Sequence, residues 1–137
     1  MGNVIGIVAE YNPFHNGHAR LIEQTRARLG ADCPVVCVMS GDFVQRGSPA
    51  VYSKFARAEA AVRCGADLVL ELPLPWSLSS AEGFARGAVG LLGSLGVVTH
   101  LSFGSECGEL EPLQRVAEAL LDPLLSEDLR AELRSGI

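Results

Sequence analysis

The stretch from Asn3 to His18, NVIGIVAEYNPFHNGH, constrains the fold more than any other part of the chain. Val4, Ile5, Ile7 and Val8 form a short apolar, β-branched run suited to a strand buried on both faces. Pro13 has no backbone N–H and disfavours helical geometry at Asn12, so the strand must yield to a loop there. Leu21, Ile22, Thr25 and Leu29 then recur at helical spacing, with Asn16 the expected N-cap. The pattern is strand, tight loop, helix, with His15, Gly17 and His18 where the helix begins.

A helix start presents unpaired N–H groups and the positive end of the macrodipole, which suits phosphate. Gly17 leaves the backbone open to close approach, and His15 and His18 add ring N–H donors whose charged form a nearby phosphate would favour. The HxGH match alone is equally compatible with two surface histidines or with metal ligands.

The 137 residues suffice for one domain, 1–137, with a core of its own. With 48% hydrophobic residues and positive mean hydropathy the chain reads as ordered α/β rather than disordered. It contains neither an apolar run of membrane-spanning length nor a signal-peptide pattern at its start, so the expected setting is cytoplasmic, without a membrane partner. Cys33, Cys37, Cys64 and Cys107 form no CxxC pair and are expected to be plain thiols, with no metal site. A net charge of −5, a single lysine (Lys54) and dispersed arginines argue against a strong nucleic-acid surface on this chain.

Further strands are expected at 34–39, 67–72 and 97–103, and helices at 53–63, 79–95, 110–121 and from Ser126 to Ile137. Ser79 and Glu82 have capping-box spacing, and Phe84, Ala88, Leu91, Leu92 and Leu95 form a stripe. Gly83, Gly87, Gly90 and Gly93 lie inside that helix and point to close packing rather than to a dinucleotide fingerprint. Phe55, Ala58, Glu59 and Val62 mark related faces of the 53–63 helix, and His100 is expected to be a structural histidine within its strand. Strands alternating with helices imply a Rossmann-like open parallel sheet with helices on both faces. The segments Glu10–His18, Ser40–Gly47 and Gly104–Glu106 all follow strands and would share one rim, where ligands bind such sheets. In the second of them Ser40, Gly41, Asp42, Gln45 and Arg46 form the candidate substrate loop, Arg46 offering a planar fork for phosphate or carboxylate.

A strand followed by HxGH at a helix start resembles the nucleotidylyltransferase superfamily. The blocks EYNPFHNGH, VMSGDFVQRG, ADLVLELP, SAEGFARGAVGLLGSLGV and FGSE together resemble the bacterial tRNA(Met) cytidine acetate ligases, over Asn3 to about Glu106. That resemblance implies activation of acetate by ATP to acetyl-adenylate, with release of pyrophosphate. The acetyl group then passes to the wobble cytidine of elongator tRNA(Met). It implies ATP contacts from Ile7, Val8, Ala9, Glu10, Tyr11, Asn12, Pro13, Phe14, His15, Asn16, Gly17, His18 and Gly104, with His15 and His18 stabilising charge as pyrophosphate leaves. Magnesium would accompany the nucleotide. Family members continue past this length into a helical tRNA-binding region, so a truncated catalytic core is expected. The alternatives are an adenylyltransferase for another acceptor, such as phosphopantetheine or nicotinamide mononucleotide, or an ATP-binding module without catalysis. A metal hydrolase is a further option, without a DxD or HExxH to support it.

Overall fold

The computed structural model describes residues 2–135, which divide into one unit up to Phe103 and another from Gly104 onward. The first unit runs β1 (Ile5–Ala9), α1 (Asn16–Leu29), β2 (Val35–Ser40), α2 (Lys54–Arg63), β3 (Leu68–Leu72), α3 (Leu74–Ser77), α4 (Ala81–Ser94) and β4 (His100–Ser102), with a 3-10 turn at Gln45–Gly47. All strands are parallel and lie in the order β3-β2-β1-β4. The Rossmann-like sheet with helices on both faces is therefore present.

Period-two alternation assigns each face of the sheet. Val35, Cys37 and Met39 of β2 join Ile5 and Ile7 of β1 in one cluster, closed by Ile22 of α1 and Ala61 of α2. Val36 and Val38 point the other way, onto Phe84, Ala88 and Leu92 of α4. All of β2 is buried, which explains its uninterrupted apolar run. Gly6 marks the closest approach of α4: a Cβ there would stand 2.9 Å from Leu92 Cδ1 and 2.9 Å from Val98 Cγ1. Polar joints complete the frame. Asp67 Oδ2 accepts from Val35 N (2.7 Å) and from Arg26 Nη2 (2.7 Å), and Thr25 Oγ1 meets Ser102 Oγ at 2.6 Å.

Several local expectations need correction. The N-cap of α1 is His15 rather than Asn16, which is the first helical residue. Pro73 and Pro75 do not simply stop β3; they open α3, because proline fits the first turn of a helix. Ser80, not Ser79, caps α4, its side chain accepting from Gly83 N at 3.2 Å. Of the α4 glycines only two sit against side chains, Gly83 facing Ser79 and Gly87 facing Trp76, while Gly90 and Gly93 face open space. Leu95 is exposed, since it falls at the C-cap where the helix leaves the sheet. On α2 the buried residues are Arg57 and Ala61, and Phe55 and Val62 lie outside. The last strand shortens to three residues at the sheet edge, and His100 is exposed, its Nδ1 2.8 Å from Thr99 Oγ1.

The second unit carries α5 (Leu110–Leu121) and α6 (Pro123–Ser135). Asp122 Oδ1 accepts from Leu124 N at 2.9 Å, so α6 starts at Pro123 rather than after Ser126. The expected end of that helix at Ile137 lies outside the described residues. Among the described residues no helix is long and apolar enough to cross a membrane.

Candidate functional site

Because the sheet is parallel, β1 and β2 deliver their carboxyl ends to one rim of the first unit. The chain leaves β1 through Glu10 and turns at Tyr11, whose φ of 50° is left-handed. It crosses a cis Asn12–Pro13 peptide and enters α1 at His15.

The two histidines are locked together. Their rings stack with centroids 3.7 Å apart and planes at 23°. His15 Nδ1 accepts from Gly17 N (3.1 Å), and His18 Nδ1 accepts from His15 N (3.2 Å), a reciprocal cap built from two imidazoles. An Nδ1 that accepts carries no proton, so the remaining ring proton of each histidine sits on Nε2 and is available to donate. Burial, with the His15 ring beside it, lowers the pKa of His18 below its ordinary value. The fold thus holds His18 toward its neutral form and leaves an Nε2–H on each ring free to donate.

Behind the pair, Tyr11 is a wall of the core. It is 2% exposed, its hydroxyl lies 3.4 Å from Cys37 Sγ, and its ring meets Phe14 and His18 edge-on, each at 4.8 Å. Burial beside the thiol pushes the Tyr11 phenol well above its usual range and raises the Cys37 thiol as well. Ile7 is likewise buried in the core, so the side chains of Ile7 and Tyr11 position the loop. His15, Asn16 and Gly17 are exposed, while Val8, Ala9, Glu10, Asn12, Phe14 and His18 are half-buried. Gly17 meets a second requirement besides the expected one: the space its Cβ would fill belongs to the His15 ring, with Cε1 at 2.9 Å and Nδ1 at 3.0 Å.

The candidate substrate loop is brought against this segment. Glu10 Oε1 accepts from Gln45 N (2.8 Å), and Asn12 Oδ1 accepts from Val51 N (2.7 Å). The loop closes on itself through Val44 N to Ser48 O (3.0 Å) and Ala50 N to Asp42 O (2.9 Å). Its tip places exposed Arg46 at φ 69°, a left-handed conformation unusual for an arginine. A Cβ at Gly41 would meet the Glu71 carboxylate, which lies over it. Glu71 Oε2 in turn pairs with Lys54 Nζ at 2.8 Å, with Asp42 Oδ2 3.8 Å from the same nitrogen. Gly104 is the first residue of the second unit.

Sequence reasoning missed Arg57. Its guanidinium is buried beneath the rim, and burial lowers its pKa while Asp42, Glu10 and Glu71 act in the opposite direction. The available signal was its place on the helical face of Ala61, one turn away.

Comparisons with known proteins agree with this fold. The model of a family described as HIGH nucleotidyl transferase matches residues 2–137. A protein of Clostridium acetobutylicum named tRNA(Met) cytidine acetate ligase is 54% identical over 120 residues, 88% of this chain and 30% of that protein. One of the same name from Acetivibrio thermocellus is 48% identical over 136 residues, 98% of this chain and 32% of its own length. The crystal structure of Thermotoga maritima TmcAL bound with alpha-thio ATP superposes with a TM-score of 0.90 at 49% identity, covering 98% of this chain and 33% of that one. The chain thus spans about a third of the length of the relatives it matches.

Proposed function

Because this chain belongs to the HIGH nucleotidyl transferase family, we propose that it is the ATP-binding core of a tRNA(Met) cytidine acetate ligase. The observation that carries this reading is the stacked, reciprocally capped His15–His18 pair, with both Nε2–H groups free at a helix start on the carboxyl rim of a parallel sheet. Likeness to a TmcAL bound with an ATP analogue supports it.

In the proposed reaction the segment Ile7–His18 holds ATP, its backbone and the α1 dipole facing the phosphates. An acetate oxygen attacks the α-phosphorus, the bond to the bridging oxygen breaks, and pyrophosphate leaves with that electron pair. His15 and His18 donate from Nε2 to the oxygens on which charge grows. The Ser40–Gly47 loop, with Gln45 and Arg46, faces the acceptor side. The acetyl-adenylate then acylates the exocyclic amine of the wobble cytidine in tRNA(Met), releasing AMP. The described residues gather no set of three His, Cys, Asp or Glu side chains fit to hold a metal. Magnesium would therefore be carried by phosphate oxygens and water. The proposed setting is the cytoplasm, where charged ATP and tRNA are at hand.

Acetate-dependent exchange of labelled pyrophosphate into ATP tests the reading. Exchange that requires acetate and is lost in His15→Ala and His18→Ala is the expected result. ATP binding without acetate-dependent exchange in the complete protein would refute acetate activation and favour a different acceptor or a module that only binds ATP.

A further inference from the structure

Arg57 is 2% exposed, the one buried charged side chain among the described residues. Its donors go to main-chain carbonyls of three separate segments. Nε donates to Tyr52 O (3.1 Å), Nη1 to Glu10 O (2.7 Å) and Ser40 O (3.1 Å), and Nη2 to Gly41 O. Glu10 is where β1 ends, Ser40 and Gly41 are where β2 ends, and Tyr52 precedes α2. At strand ends the ladder stops, and carbonyls left without partners there would be costly to bury. A planar guanidinium satisfies several of them at once. An ammonium, with its donors on one atom, cannot span the same set.

The same two loops are tied again above the guanidinium, through Glu10 Oε1 to Gln45 N and Asn12 Oδ1 to Val51 N. We propose that Arg57 is a positioning residue that pins the β1–α1 loop, carrying His15 and His18, to the loop between β2 and α2, carrying Gln45 and Arg46. The two halves of the rim then keep one register, the histidines set against whatever the second loop presents. This rests on the reading that the first loop holds ATP and the second faces the acceptor.

Hydrogen exchange and kinetics on Arg57→Lys and Asn12→Ala, in the complete chain, test it. In Arg57→Lys, amide exchange should rise about tenfold or more in both 10–18 and 41–51, the loss expected when charge-assisted bonds are removed, while α4 keeps its protection. Exchange that rises in one loop alone, or equally in α4, overturns the pin. In Asn12→Ala both loops should stay protected; opening as far as in Arg57→Lys would show that Arg57 is not the pin. Should Arg57→Lys fail to fold, protection in Asn12→Ala decides alone. Kinetically, a lost register raises KM for acetate and lowers kcat per ATP-binding site with little change in ATP affinity. A loss confined to the number of ATP-binding sites would mean that Arg57 only stabilises the fold, and would overturn the proposal. If the unmutated chain shows no acetate-dependent exchange, the acetate reading fails while hydrogen exchange still decides the pin.

Discussion

Gly17→Ala separates two reasons for having a glycine at that position. One is that phosphate must approach the backbone. The other is that the His15 ring already fills the space, with Cε1 2.9 Å and Nδ1 3.0 Å from a built Cβ. In the second case an alanine must tilt the imidazole, breaking the Gly17 N–H bond to Nδ1 and the stack on His18. A lost N-cap costs about 1 kcal/mol. Alanine in a helix returns roughly 0.5–1 kcal/mol over glycine. The two nearly cancel, so the unfolding midpoint should move by less than about 5 °C. ATP affinity should not cancel. A displaced Nε2–H forfeits a charge-assisted hydrogen bond of about 1.5–3 kcal/mol, roughly a tenfold to hundredfold weaker Kd. Calorimetric titration of ATP into Gly17→Ala, His15→Ala and the double variant measures this. If the alanine acts through His15, it adds nothing once the imidazole is gone, and the double variant binds as His15→Ala does. A further full loss in the double variant would refute this reasoning and restore direct phosphate approach as the reason for Gly17.

The lowered pKa of His18 implies a sign for pH dependence. The unfolded chain takes up the proton first, so stability is fully present above the ordinary value of 6.5 and falls as pH drops below it toward the folded value. His18→Gln, which keeps a capping acceptor, should flatten that part of a urea-midpoint profile, and an unchanged slope would count against the assignment. Gly6→Ala should cost about 1–3 kcal/mol in chemical unfolding, because its Cβ meets Leu92 and Val98 at 2.9 Å and buried Leu92 cannot retreat. Arg46→Gly should stabilise the fold by about 1 kcal/mol, the penalty of left-handed backbone for an L-residue, while weakening acetate-dependent exchange. A midpoint that does not rise would show that the φ of 69° carries no strain.

The sequence by itself determined the four strands and the passage from β1 through a tight loop into α1, though not the short α3 between β3 and α4. A parallel strand buried on both faces writes an unbroken apolar run, and Pro13 and Gly30 punctuate its neighbours through local sterics alone. Which histidine caps α1 was not legible, because Asn16 has the better intrinsic preference and only the stack on His18 gives His15 the position. Nor was the reciprocal bonding of the two Nδ1 atoms, which depends on where two backbone N–H groups point. The burial of the Tyr11 side chain was not legible either, because Cys37, which lies beneath it, is 26 positions away. Arg57 is one of the dispersed arginines until β1 and β2 end side by side and leave carbonyls that its guanidinium reaches together. Local pattern sets which elements form; long-range juxtaposition decides what each side chain near the rim must satisfy, and that information is not local in the chain.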